Sequence, residues 1–377
     1  MTAKEIDRDR LVETLRSLVR IPSFENSLKV SAWVKKEMEG IGYHVDSDKD
    51  GNLIAEIGKG PGFLLNAHLD TVAPGDGWRH GPFSGAVDNG RVYGRGSTDC
   101  KSGVASMIEI ARILKNRKLN KRVSFTFTAF EEGHPLEKNG VYSILARLKD
   151  IEKGLVLEPT MDGKTAGIAV GCRGSAHYGV EIIGQRGHSS TPEKFDNPIY
   201  RFPSLLEGVR NFERRKMRIP LSNETIEDTM TVTEVWAKEG TNVIPSRCSV
   251  SIDRRSLPDE PPERIHERVR EMCRKALGEK FSLTGRRAIQ GYYYEDRQLL
   301  DFCREAASSA GMDPRVYFKL ARTDSCVLYN FAKIGTYIMG PGHLSQAHTI
   351  DEYCVIDELL MATRAVLDVI MSWDESG

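Results

Sequence analysis

Phe63-Leu64-Leu65-Asn66-Ala67-His68-Leu69-Asp70 is the stretch on which the fold turns. Its first five residues are mostly apolar, Gly62 precedes them and polar side chains follow, so they read as a short buried strand. That strand delivers an imidazole and a carboxylate at its carboxyl end. His68 and Asp70 are two apart, and on an extended backbone they share a side. The spacing suits an imidazole metal ligand oriented by a carboxylate. Alone, an H-x-D is more commonly a solvated histidine beside a turn-forming aspartate.

The surrounding sequence alternates between two periods. Leu11, Leu15, Leu18 and Val19 mark a helix face over 8–20, and Val30, Trp33, Val34, Met38 and Ile41 mark another over 28–41. Strand-like runs at 43–46 and 53–57 flank the turn signal Asp50-Gly51. Helical spacing returns at Val104, Met107, Ile108 and Ala111, and 122–130 alternates with period two. Helix signals near 140–150 lead to the run Gly154-Leu155-Val156-Leu157. This alternation predicts an α/β fold with a three-layer α/β/α domain.

From about Gly171 the texture changes. A strand at 176–184, a helix at about 198–217, strands at 230–237 and 248–252, a helix at 263–277 and a strand at 281–289 follow one another. That order, β-α-β-β-α-β, is the ferredoxin-like signature. After Gly291 the first pattern resumes, with a helix at 297–310, strands at 315–318 and 336–339 and a final helix at 357–372. The expected division is a discontinuous larger domain, 1–168 and 290–377, interrupted by a smaller one at 169–289.

Composition narrows the class. Lys plus Arg and Asp plus Glu both number 53 in 377 residues, so no basic excess points to a nucleic acid or an anionic membrane. No apolar run reaches the roughly 18 residues of a spanning helix, and the charged N-terminus is not expected to be a signal peptide. Seven scattered cysteines without a C-x-x-C pair read as reduced thiols. A cytoplasmic protein with a small-molecule partner is expected.

Ligands in open α/β sheets bind beyond the carboxyl ends of the strands, and more polar residues gather there. Asp99 lies in a glycine-flanked loop ahead of the helix containing Val104. The strand at 122–130 ends in Glu131-Glu132, adjacent carboxylates that can face apart, one coordinating while the other takes a proton. Glu158 follows the run at 154–157, and His348 follows the strand at 336–339 and the loop Gly340-Pro341-Gly342. The mixed set His68, Asp99, Glu132, Glu158 and His348 favours zinc, with cobalt or manganese compatible. Its three carboxylates balance two divalent ions and one hydroxide, whereas without cations they would repel one another. A shared Asp99 between two ions about 3.5–4 Å apart is the two-metal arrangement.

The chain resembles the co-catalytic dizinc amidohydrolases, which include acetylornithine deacetylase, succinyl-diaminopimelate desuccinylase, aminoacylase and the glutamate-releasing carboxypeptidases. The ordered motifs are Asn66-Ala67-His68-Leu69-Asp70-Thr71-Val72, the Gly94–Gly103 segment GRGSTDCKSG, Glu131-Glu132-Gly133, Leu157-Glu158-Pro159, Gly187-His188-Ser189-Ser190, Asn242-Val243-Ile244-Pro245 and Ala347-His348-Thr349. The resemblance implies one zinc held by His68, Asp99 and Glu158, and another by Asp99, Glu132 and His348. Asp70 would orient His68, and Glu131 would act as general base. A cis peptide is implied at Asp99–Cys100, with Cys100 a packed thiol rather than a nucleophile.

The inserted domain would be the family's lid and dimer interface. His188 would reach the partner subunit's active site to stabilise an oxyanion, while Asn242 and Arg255 would bind substrate polar groups, Arg255 as a carboxylate fork. The implied reaction is metal-dependent hydrolysis of an N-acyl amino acid by a homodimer. A metallo-carboxypeptidase or dipeptidase on the same site is the alternative, and a non-catalytic binding protein of the same fold is the remote one.

Overall fold

The computed structural model describes residues 5–285 and 288–376. The chain forms two compact units, the first built from residues up to Gly171, from Tyr294–Phe318 and from Thr323 onward, the second from Cys172–Tyr293 and Lys319–Arg322.

In the first unit the apolar runs become a parallel sheet. Strands Arg122–Thr128, Gly62–His68, Ile151–Asp162 and Gly335–His343 lie side by side in that order, with Leu65 opposite both Phe125 and Leu155. Every residue of Gly62–His68 is buried, as expected of a strand covered on both faces. Antiparallel strands Leu53–Ile57 and Val45–Ser47 extend one side, and Thr165–Cys172 the other. Helix Lys101–Lys115 packs on Gly62–His68 and Gly335–His343, and helices Asp324–Ala332 and Ile356–Glu375 also pack on the latter strand. Amphipathic periodicity explains the helices, since Leu11, Leu15, Leu18 and Val19 are the apolar residues that Arg8–Val19 buries, alongside Thr14.

The second unit is a four-stranded antiparallel sheet in the order Thr229–Trp236, Arg247–Ser256, Gly174–Ile183, Phe281–Gly285. Helices Phe202–Arg210 and Pro262–Leu277 pack together. Ile265, Val269 and Cys273 share one core with Val180, Ile182, Val250 and Ile252. The fold is thus α/β, with the second unit ferredoxin-like. Strand Arg247–Ser256 alternates strictly, burying Cys248, Val250, Ile252, Arg254 and Ser256. Fully buried Arg254 is neutralised by Asp228 at 2.5 Å and Glu260 at 2.7 Å.

Two elements differ from expectation. The helix read over 198–217 ends at Arg210, and Lys216–Ile219 instead pairs with Glu224–Glu227 as a hairpin. Val209 is the last buried residue of that helix, and beyond it Arg215 donates its backbone N–H to Asp228 at 2.8 Å. The helix read near 140–150 is only Gly140–Ile144 followed by a 3₁₀ turn. The short sheet of Ala86–Asp88, Arg91–Tyr93 and Tyr353–Val355 went unread, because three residues carry no periodic signal. Among the described residues no helix is long and apolar enough to cross a membrane.

Candidate metal centre

The first unit brings His68, Asp70, Asp99, Glu131, Glu132, Glu158 and His348 to the carboxyl ends of its central strands. His68 closes the strand Gly62–His68. Its Nδ1 lies 3.0 Å from the backbone carbonyl of Asp70, which can only accept, so Nδ1 carries the proton and Nε2 is the atom turned inward. Nε2 stands 3.0 Å from Asp99 Oδ1 and 3.7 Å from Glu158 Oε1. The other Asp99 oxygen, Oδ2, is 3.6 Å from His348 Nε2. Asp99 therefore shows one oxygen to each imidazole. The Asp99–Cys100 peptide is cis.

The Asp70 carboxylate lies 3.7 Å from His68 Nδ1 and instead receives the backbone N–H groups of Glu131 at 3.2 Å and Glu132 at 2.9 Å. Phe130, between the end of strand Arg122–Thr128 and these glutamates, has a φ of +61° that is rare for an aromatic residue. That reversal separates the two glutamates. Glu131 is buried beside His68 and Glu158, whereas Glu132 Oε1 meets His348 Nε2 at 2.8 Å. His348 is itself left-handed, at φ +64°.

The chemistry of this donor set fits divalent cations. Potential ligand atoms of Asp99, Glu132 and His348 lie within 4.8 Å of one another, as do those of His68, Glu131 and Glu158. Without a cation, protons compensate the carboxylates. The hydrogen bond to Glu132 raises the His348 pKa, with the charges of Glu132 and Asp99 adding to it against burial. Burial opposes charge on His68, but the hydrogen bond to Asp99 and the charges of Asp99 and Asp70 favour it and hold that imidazole well above its usual range. Cys100 is also near, yet its Sγ donates to Leu157 O at 2.9 Å and burial pushes its thiol pKa well up, so it packs as a neutral group.

Sequence reading missed Glu352. This fully buried carboxylate accepts from Arg95 and from the backbone of the Asp99 loop. It carries no spacing signal, because its partners lie more than 250 residues away in the chain.

The second unit brings His188 and Asn242 together. His188 is paired with Val243 across a two-residue ladder, and Ser189 N–H donates to the Asn242 carbonyl at 3.0 Å. His188 Nδ1 accepts from the Ser190 N–H at 3.1 Å, leaving the ring proton on Nε2. Arg255 is not beside them. It lies toward the other end of Arg247–Ser256, where its Nε donates to Asp253 Oδ1 at 2.8 Å.

The profile of peptidase family M20/M25/M40 matches residues 64–372. Succinyl-diaminopimelate desuccinylase from Methylobacterium radiotolerans is 31% identical over 243 residues, covering 62% of this chain and 61% of that protein. The chain thus spans about three fifths of that curated relative's length. Metallo-carboxypeptidase Sso-CP2 from Sulfolobus solfataricus shares the fold, with a TM-score of 0.82 at 16% identity over 97% of this chain and 99% of that one. A Bacillus subtilis protein described as a dinuclear metal binding peptidase does so at 0.70 and 19%, over 97% and 98%. On the profile match, the chain belongs to peptidase family M20/M25/M40, a family of metal-dependent amidohydrolases and peptidases.

Proposed function

We propose that this chain hydrolyses the amide bond of an N-acyl amino acid, in the manner of a desuccinylase or deacetylase. The observation that carries the reading is Asp99, which turns one carboxylate oxygen toward His68 and the other toward His348. His68, Asp99 and Glu158 would hold one cation, and Asp99, Glu132 and His348 the other. Zinc suits this set, and cobalt or manganese would also fit. Bound cations there would supply Lewis acidity and lower the pKa of water.

Glu131 is the group left for proton transfer. It is buried next to His68 and Glu158, and it would take a proton from the attacking water and pass it to the departing nitrogen. Water adds to the carbonyl carbon, the C–N bond breaks, and a carboxylate and an amine leave. His188 would serve as an oxyanion donor through its Nε2–H, contributed across a homodimer. Asn242 and Arg255 would engage the substrate's polar groups, with Arg255 exchanging Asp253 for a substrate carboxylate.

The desuccinylase relative supports acyl amino acids over peptides. The test is a panel of N-succinyl and N-acetyl amino acids beside dipeptides, assayed on zinc-, cobalt- and manganese-loaded protein with a chelated control. Turnover confined to dipeptides would replace the deacylase reading with a dipeptidase one. Absence of any metal-dependent turnover would support a binding protein.

A further inference from the structure

The loops carrying Asp99 and His348 are far apart in sequence, yet one side chain ties them together. Glu352 is completely buried. Its Oε2 accepts from Arg95 Nη1 at 2.6 Å and Gly96 N–H at 3.0 Å, and its Oε1 accepts from Thr98 N–H at 2.9 Å and Asp99 N–H at 3.0 Å. A carboxylate has about four lone-pair sites, so this one is saturated. Main-chain contacts reinforce the tie. Gly94 N–H donates to the Glu352 carbonyl at 2.9 Å, Thr98 Oγ1 to the Tyr353 carbonyl at 2.6 Å, and Arg95 Nη2 to the His348 carbonyl at 3.4 Å.

We propose that Glu352 is a positioning residue that locks the Asp99 loop to the His348 loop, so that the cradle for the cation between Asp99, Glu132 and His348 is built before metal arrives. The inference rests on the metal-centre reading above. Its physical basis is the acceptor-only character of the carboxylate. Four converging N–H donors need an acceptor at both oxygens, and one of them is the amide of Asp99 itself. An amide in this position would face two of those donors with its own N–H₂, leaving buried donors unpaired.

The conservative variant Glu352→Gln tests this. Metal content and affinity are measured by chelator competition with zinc and with cobalt, whose visible absorption reports the ligand geometry. The expected result is one metal equivalent weakened by about 10–100-fold, as for loss of other groups that orient ligands. The cobalt spectrum changes, and kcat recovers at high metal concentration. Two equivalents bound with wild-type affinity and spectrum would overturn the proposal. Wild-type protein that binds no metal would instead overturn the metal-centre reading, which separates the two failures. Should the variant not fold, amide hydrogen exchange on chelated wild-type protein decides. Protected amides at Gly96, Thr98 and Asp99 before metal addition support a preformed clamp. Amides protected only after metal addition exclude one.

Discussion

The carboxylate of Asp70 accepts the backbone N–H of Glu132 at 2.9 Å and that of Glu131 at 3.2 Å, while the ring of His68 is held by the Asp70 backbone carbonyl. One residue thus sets the direction of both glutamates through its side chain and the tautomer of a histidine through its main chain. Asp70→Asn keeps the main-chain carbonyl but offers a single accepting oxygen to two donors. It is expected to lower kcat by about 10–100-fold while His68 retains its tautomer. Steady-state kinetics beside metal analysis checks this, and unchanged kcat would remove Asp70 from the orientation of Glu131.

Glu131→Gln preserves shape and removes the proton acceptor. Glu131 is grouped with His68 and Glu158 but is not needed in the set Asp99, Glu132, His348. Metal content is therefore expected to persist while kcat falls by about 10²–10⁴-fold, the usual worth of a general base. Wild-type turnover by the metal-loaded variant would refute the assignment.

The Glu132–His348 pair gives a pH signature in chelated protein. The hydrogen bond to Glu132 raises the His348 pKa above the ordinary histidine value of about 6.5. A raised histidine contributes stability that is complete below its unfolded value and is lost as pH rises through its folded value. His348→Ala should thus lower the Tm of metal-free protein more at about pH 6 than at about pH 9. Metal needs the neutral imidazole, so cation affinity should weaken as pH falls through the same range. Calorimetry at the two pH values checks the first point, and equal shifts at both would exclude the pair as the cause.

Much of this centre was legible because its residues sit at strand ends that the apolar runs announce. Phe63–Ala67 is buried on both faces, and His68 and Asp70 follow it. Glu158 was read as following a strand but lies within Ile151–Asp162, since the apolar run marks the buried part of a strand rather than its hydrogen-bonded length. Glu352 was invisible because its role consists of hydrogen bonds to main-chain N–H groups, which leave no residue pattern. The failed helix beyond Arg210 has the opposite cause. The helical pattern over 198–217 runs past Arg210 into a segment that Asp228 captures through the Arg215 backbone.

Arg254 and Arg268 share Asp228 and Glu260 inside the second unit, and the Phe212 ring lies 5.0 Å from one guanidinium and 4.4 Å from the other. The two positive and two negative groups compensate. Removing one carboxylate leaves a buried positive charge, so Asp228→Ala should cost about 3–5 kcal/mol. Urea unfolding followed by far-ultraviolet circular dichroism measures it. A loss well under 1 kcal/mol would show that water reaches the cluster.

Two helical glycines should respond to alanine with opposite signs. Gly40 lies in Leu28–Ile41 with nothing within 4 Å of an added Cβ, so Gly40→Ala should gain up to about 1 kcal/mol from helix propensity. Gly103 has the same propensity to gain, but its Cβ would stand 2.2 Å from the Leu157 carbonyl and 3.3 Å from Cys100 Sγ. The first of these is strand backbone and cannot rotate away. Relief requires helix Lys101–Lys115 to move from strand Ile151–Asp162, and overpacking of this kind costs about 1–3 kcal/mol. The movement also has a chemical consequence, because Cys100 follows Asp99 and Leu157 precedes Glu158. Gly103→Ala is expected both to destabilise the protein and to weaken its hold on metal, whereas Gly40→Ala leaves metal binding unchanged. Urea unfolding and chelator competition on the two variants separate these effects. A Gly103→Ala protein that keeps wild-type metal affinity would show that Asp99 and Glu158 are placed independently of this helix–strand contact.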